Sequence, residues 1–208
     1  MEIDAQKFDR IARGVFAPVY PVIAGQIITR TGITQGVCLD IGCGGGYLGL
    51  SLARTTELFV HFFDPSPEML AIASRTIAES GLQARADTLQ GTVSAIPLPD
   101  ASVNLAVSRG SIFFWEDLPQ AFREIHRVLA PGGWAYIGGG FGSRELKESI
   151  ESEMASRNQG GDDFRARVRR NLGTEMRARF ETALETAGIK SYTILHSEDI
   201  GLWLIMRK

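Results

Sequence analysis

The sequence predicts an α/β fold in which parallel strands alternate with helices and a final antiparallel pair closes the sheet. Three observations carry this prediction. The stretch Val37-Cys38-Leu39-Asp40-Ile41-Gly42-Cys43-Gly44-Gly45-Gly46 runs from a short apolar strand through an acid into glycines at alternate positions, and an apolar helical run, Tyr47 to Ala53, follows. A second unit of the same form, Leu58-Phe59-Val60-His61-Phe62-Phe63 ending in Asp64, leads into another helix. Near the C-terminus, Tyr192-Thr193-Ile194-Leu195 and Leu202-Trp203-Leu204-Ile205-Met206 flank a Ser-Glu-Asp turn region. Strands so close together have no room for a crossover and must form an antiparallel hairpin.

Taken in order, the segment from Phe8 to Pro21 precedes a helix, Val22 to Ile28. Glycines in the turn after Asp40 allow positive φ and close approach of a ligand, and the following helix would present free N–H groups at its N-terminus. Gly44-Gly45-Gly46-Tyr47-Leu48-Gly49 fits the dinucleotide pattern G-x-G-x-x-G, which alone is weak. Asp40-x-Gly42-x-Gly44-x-Gly46 is more informative, because a carboxylate at the strand end suits a ligand with an ammonium group and repels a pyrophosphate. Asp64 lies about 20 residues further on, the offset of a ribose-binding acid; a plain turn acid is the alternative. Pro65 keeps Asp64 extended, Ser66 is a good N-cap and Pro67 suits the first helical position. Met69, Leu70, Ala73 and Ile77 then recur at helical spacing. Asp117 can cap a helix whose apolar face is Leu118, Phe122, Ile125 and Leu129, stopped by Pro131-Gly132-Gly133 before a strand Trp134-Ala135-Tyr136-Ile137. Two more helices, Glu145–Met154 and Glu175–Ala187, are separated by a Gly160-Gly161 break, and Gly188 suits the C′ position of the second.

The acid and glycines of the first turn resemble motif I of the class I S-adenosylmethionine (SAM) dependent methyltransferases. Gly91 to Ser108 is similar to strand 3, loop and strand 4 of the ubiquinone/menaquinone-type, methyltransferase type 11-like members, and Ala121 to Gly133 to their fifth helix and its exit turn. The resemblance implies a Rossmann-like seven-stranded sheet of order 3-2-1-4-5-7-6 with strand 7 antiparallel. It implies SAM as methyl donor and S-adenosylhomocysteine as product. Asp40 would face the methionine part, Gly42, Gly44 and Gly46 would lie under the amino-acid end and ribose, Asp64 would accept from both ribose hydroxyls, and Met69 would pack on the adenine. Two positions depart from the pattern. Thr92 replaces a usual Asp, so Thr92 or the Val93 backbone would take the adenine amino group, and Asn104 replaces another Asp at a position better suited to a structural role. Ser108, at the end of strand 4, completes the cofactor-side set.

The run Ser108 to Asp117 lacks the Asn/Asp-Pro-Pro-aromatic motif of enzymes that methylate base amines. Its Arg-Gly-Ser-x-Phe-Phe-Trp-Glu-Asp form resembles a subgroup of small stand-alone methyltransferases. Loops beyond the carboxyl ends of parallel strands line the ligand crevice, so Arg109, Ser111, Phe114 and Trp115 are candidate substrate-side residues. In the resembling enzymes an N-terminal segment folds over the cofactor, which would let Phe16 and Tyr20 close the site. Packing alone is the alternative for Met69, Phe16, Tyr20, Phe113, Phe114 and Trp115, and pairing with a carboxylate for Arg109.

A chain of 208 residues with 44% hydrophobic content can bury one sizeable core. We therefore expect one domain: a helical lid over 1–35, a SAM-binding core over 36–140, a helical segment over 141–190 and a hairpin over 191–208. No 18-residue apolar span or cleavable leader is evident, so a soluble, cytoplasmic protein is expected. Cys38 and Cys43 show no metal or disulfide pattern. The net charge of -2 and pI of about 6.0 give no general reason to bind nucleic acid. The run Arg165, Arg167, Arg169, Arg170, Arg177 and Arg179 reads as a solvated helix face, with an anionic substrate or partner as the alternative. His61, His126 and His196 occupy no recognisable catalytic setting, and no catalytic base is assigned. The reading is SAM-dependent methyl transfer to a small-molecule acceptor the sequence does not identify. A non-catalytic SAM-binding regulator or partner subunit is the alternative. A nucleic-acid or protein methyltransferase rests only on the arginine run, and a nicotinamide-dependent dehydrogenase leaves Asp40, the fifth-helix motif and the closing hairpin unexplained.

Overall fold

The computed structural model describes residues 4–157 and 161–208. Its centre is a seven-stranded sheet of order β3-β2-β1-β4-β5-β7-β6, formed by β1 (Gln35–Ile41), β2 (Glu57–Asp64), β3 (Ala86–Gln90), β4 (Val103–Arg109), β5 (Leu129–Gly139), β6 (Tyr192–Ser197) and β7 (Gly201–Arg207). The first five strands are parallel, and β7 runs antiparallel to both β5 and β6. The expected order is the observed one. The central strands are apolar on consecutive positions because helices cover both faces. Alternate side chains feed two cores: Cys38, Leu105 and Trp203 point to one, Leu39, Ala106 and Leu204 to the other.

The first core packs α2 (Val19–Thr31), α3 (Tyr47–Thr55), part of α4 (Pro67–Glu79), α6 (Arg144–Ser156) and α7 (Gly161–Asn171) against the sheet. The second packs α5 (Leu118–Val128) and α8 (Thr174–Ala187). Short α1 (Ala5–Gly14) precedes them, capped by Asp4 accepting from Lys7 N. The predicted caps form: Ser66 Oγ accepts from Met69 N at 3.2 Å, Asp117 Oδ1 from Gln120 N at 2.9 Å, and α8 ends at Gly188 in the left-handed conformation. Asn104 is structural, its Oδ1 accepting from Val37 N at 2.8 Å in space left by Gly36.

Three expectations need correction. Helix α2 exceeds Val22–Ile28 at both ends, because Val19, Tyr20 and Thr31 are buried as well. Strand β5 begins at Leu129, directly after α5, so Pro131-Gly132-Gly133 lies within the strand rather than before it. A Cβ on Gly133 would sit 2.9 Å from the Ala130 carbonyl oxygen and 3.0 Å from that of Val103. Finally, α7 stands between the two helices expected in the late segment. Gly160 of the expected break lies outside the described residues, and Gly161 opens α7. Phe164, Val168 and Leu172 recur at four-residue spacing and pack on the first core, a signal broken up by the arginines between them.

The long link from β3 to β4 is held by Arg127, whose guanidinium donates to the carbonyls of Ile96 and Leu98 and pairs with Asp100 and Glu124. Glu124 in turn accepts from Ile96 N at 2.9 Å. No single described helix is long and apolar enough to cross a membrane; α1 and α2 meet that measure only as a pair bent by 74°. On the second core, Phe122 of α5 is fully buried and meets Phe180 of α8 edge-on at 6.4 Å. Phe122→Ala should cost about 3–5 kcal/mol in urea unfolding; a loss under about 1 kcal/mol would show that α5 and α8 do not share a close-packed interface.

Candidate functional site

The carboxyl ends of β1, β2, β4 and β5 meet one edge of the sheet, and strand order reverses between β1 and β4. Such a switch point opens a crevice at the strand ends. Asp40 and Asp64 lie there, on neighbouring strands. Asp40 is buried, and its Oδ2 accepts from Gly49 N at 2.9 Å. Burial raises its pKa to about 7, the nearby Asp64 adds to the shift, and the Gly49 N–H opposes it. Asp64 accepts from Gly44 N through Oδ2 and from Ser66 N through Oδ1, both at 3.0 Å. Burial raises its pKa too, against both N–H groups.

The turn between β1 and α3 is clasped by the end of β2. The Phe63 carbonyl accepts from Gly42 N at 2.7 Å and Cys43 N at 3.1 Å, beside the Asp64 bond to Gly44. The turn's own donors are thus mostly taken, while among the described residues the N–H groups of Gly45 and, at the helix N-terminus as expected, of Tyr47 and Leu48 stay unclaimed by the chain. The glycine requirement is also partly internal. Gly46 has φ 84°, and a Cβ there would sit 2.7 Å from the Phe62 ring. Gly44, at φ 54°, is buried, and among the described residues a Cβ there would meet only the Phe8 ring, at 3.5 Å. Of the turn's glycines, Gly44 thus has the least crowded Cβ position, with Phe8 of α1 across it.

Ser108 and Ser111 lie under this turn. Ser111 Oγ donates to the Ile41 carbonyl at 2.9 Å and shares a 2.6 Å hydrogen bond with Ser108 Oγ. Ser111 also occupies the space a Cβ on Gly42 would need. The structure thus gives Ser111 a supporting place beneath the glycines. Met69 is buried in the first turn of α4. Thr92 is exposed and Val93 partly buried in a short bridge after β3, where the Thr92 carbonyl accepts from Ala95 N at 3.0 Å.

The N-terminal segment crosses the same edge. Asp9 is buried, and its Oδ1 accepts from the Tyr47 hydroxyl at 2.6 Å. The Tyr47 ring meets Tyr20 at 5.5 Å. Sequence reasoning missed Phe8, Asp9 and Tyr47 as site residues, since only the folded chain brings α1 to the glycine turn. Arg109 pairs with no carboxylate among the described residues. Its guanidinium lies 4.8 Å from the Phe16 ring centre and 5.4 Å from that of Tyr20, and Nε donates to the Gly140 carbonyl at 3.2 Å. Burial lowers its pKa, and Tyr20 counters this. Phe16 also stacks on Phe141 at 6.2 Å. Trp115 packs partly buried on the second core, whereas Phe114 is 68% exposed. Cys38 and Cys43 are free, with burial pushing both thiols well above their ordinary range.

Residues 39–137, from the end of β1 through β5, match the model of a methyltransferase domain. Over 141 residues the chain is 31% identical to an uncharacterized methyltransferase of Bacillus subtilis, spanning 67% of this chain and 75% of that protein. The chain belongs to the methyltransferase family. It superposes with a TM-score of 0.93 on a crystal structure from Methanococcus maripaludis provisionally assigned as an S-adenosyl-L-methionine-dependent methyltransferase, at 45% identity over 98% of this chain and 91% of that one. A demethylmenaquinone methyltransferase of Chlorobaculum tepidum is 37% identical over 99 residues, which span 48% of this methyltransferase and 38% of that enzyme. The protein is thus a SAM-dependent methyltransferase whose acceptor is unidentified.

The buried acid gives a test by pH. Asp40 titrates near 7 in the folded chain against 3.8 for an ordinary Asp, so between those values the folded state holds more protons than the unfolded one. Stability from this group is therefore lost as pH rises through that window. The melting temperature of the ligand-free protein should fall more between about pH 5 and pH 8 in wild type than in Asp40→Asn; parallel declines would show that Asp40 ionises as an ordinary carboxylate.

Proposed function

We propose that this methyltransferase holds SAM along the glycine turn and transfers its methyl group to a small-molecule acceptor. The observation that carries the reading is the pair of buried acids on adjacent strand ends, one on each side of a turn whose least crowded glycine is Gly44. Each Asp64 oxygen accepts one N–H, and a carboxylate has about four acceptor sites, so capacity remains for both ribose hydroxyls. Asp40 suits the methionine ammonium, whose charge would draw its pKa down again. Gly42, Gly44 and Gly46 form the floor with Ser108 behind them, Met69 packs against the adenine, and Thr92 or Val93 meets its amino edge.

SAM supplies a methyl group already activated by its sulfonium. The chain's part is alignment and exclusion of water, and positioning alone contributes roughly 7–11 kcal/mol to such reactions. Residues 36–140 act as the cofactor-binding core, residues 141–190 as a helical segment and residues 191–208 as the closing hairpin. Residues 1–35 act as a lid, with Phe8 over Gly44, Asp9 on Tyr47, and Phe16 and Tyr20 around Arg109. No histidine is assigned as base: His61 meets Asp87, His196 the Leu172 carbonyl, and His126 lies on α5. The free thiols suit a reducing cytoplasm.

The test is calorimetric titration with S-adenosylhomocysteine and NADH. Because Asp64 also secures Gly44 and Ser66, Asp64→Asn, which keeps an acceptor oxygen, separates binding from folding better than Asp64→Ala. Wild type should bind the homocysteine product and not NADH, and Asp64→Asn should bind it at least about tenfold more weakly, the loss of one charge-assisted hydrogen bond. Unchanged affinity in a folded Asp64→Asn would remove this residue from the site.

A further inference from the structure

We propose that the methyl acceptor is a small anion with an apolar body, its charged group held by Arg170 and Arg179 and its body by Phe113 and Phe114. The proposal rests on the methyl-donor reading above and adds the substrate class. Its basis is a cleft of about 280 Å³ where α7 and α8 meet the turn Ser111–Phe114. That volume lies just below the usual range for small-molecule pockets. The turn directly follows the carboxyl end of β4, and the Phe113 ring lies where a Cβ on Gly139 at the end of β5 would stand. Through Phe113 the cleft therefore adjoins the carboxyl ends of β4 and β5, the end of such sheets at which ligands bind.

Its lining divides by chemistry. Phe113, Phe114 and Met176 make an apolar side, and among the described lining residues Arg167, Arg170 and Arg179 carry guanidiniums and Glu175 a carboxylate. Arg165 and Arg177, which do not line the cleft, are paired with Glu151 at 3.4 Å and Glu181 at 3.1 Å. Arg167 lies 5.7 Å from the Phe164 ring centre. Arg170 and Arg179 form no ion pair among the described residues. Like charges gathered in one cleft repel, and an anion bound between them removes that repulsion. A guanidinium fork matches a carboxylate or phosphate in two parallel hydrogen bonds. Phe114 exposes 68% of its surface beside these cations, which gives an apolar or aromatic body a ring to pack on. The arginine run is thus divided by the fold: part of it pairs with glutamates on the helices, and part faces a cleft beside the strand ends. The small, bounded volume selects a small molecule over a polyanion.

The experiment titrates phenyl phosphate, benzoate, inorganic phosphate and phenol into the full chain by calorimetry, with and without S-adenosylhomocysteine. Wild type should bind phenyl phosphate or benzoate at least tenfold more tightly than phenol and than inorganic phosphate. The double variant Arg170→Gln/Arg179→Gln should lose at least tenfold for those anions while keeping its affinity for S-adenosylhomocysteine within twofold and its melting temperature. Phe114→Ala should weaken phenyl phosphate and leave inorganic phosphate unchanged. Equal binding of charged and neutral probes, or equal anion binding by wild type and the double variant, overturns the proposal, as does tighter binding of a single-stranded oligonucleotide lost in the same variant. The cofactor reading fails separately: selective anion binding by a protein that does not bind S-adenosylhomocysteine would keep the anion cleft and remove its role as acceptor site.

Discussion

The clasp between the end of β2 and the glycine turn is the constraint on which the rest of the site depends. One carbonyl, Phe63, and one carboxylate, Asp64, take three consecutive N–H groups from Gly42, Cys43 and Gly44. A buried N–H without a partner costs about 1–3 kcal/mol, so the turn has no cheap alternative geometry while β1 and β2 stay paired. Through it the glycines take left-handed conformations, α3 starts at Tyr47, and Gly49 reaches Asp40. The same clasp brings two buried acids together. Burial makes that arrangement unfavourable in the ligand-free chain, as the raised pKa of Asp40 shows, and a cationic, hydroxyl-bearing ligand is the chemistry that relieves it.

The remaining parts of the chain seal this crevice from different sides. Beneath it, Ser108 and Ser111 tie the end of β4 to the end of β1. Above it, Asp9 ties α1 to Tyr47. At its flank, Arg109 sits among aromatic rings and a backbone carbonyl instead of a carboxylate. Further along the same edge, the link after β4 meets α7 and α8, the elements that turn part of the arginine run towards a cleft. On the two proposals above, donor and acceptor chemistry would be gathered at one rim of the sheet, where ligands of such sheets bind.

Both strand-end acids and the closing hairpin were legible in the sequence because they rest on local signals, apolar runs, an acid at each strand end and two late strands too close for a crossover, whereas the sheet order came from the resemblance to class I methyltransferases. Helix α7 was not legible, since its apolar residues Phe164 and Val168 are embedded among arginines and their spacing shows as a face only once the first core is in place. The glycines were legible as a turn, but not the reason for each. Gly46 answers to Phe62 from the neighbouring strand, and Gly44 to nothing nearer than Phe8 among the described residues. Asp9 carried no signal of its own, and Ser111 was legible as a loop residue on the ligand side but not as a support of the glycine turn. Their roles come from hydrogen bonds spanning 38 and 70 residues of chain, which no local pattern encodes.

The most direct test of the account is a crystal structure of the protein grown with S-adenosylhomocysteine. The account predicts the amino-acid end over Gly44 with its ammonium beside Asp40, and both ribose hydroxyls on Asp64 without loss of its bonds to Gly44 and Ser66. A nucleoside bound away from Asp64, or an Asp64 that abandons the turn to reach it, would contradict the clasp as the basis of the site.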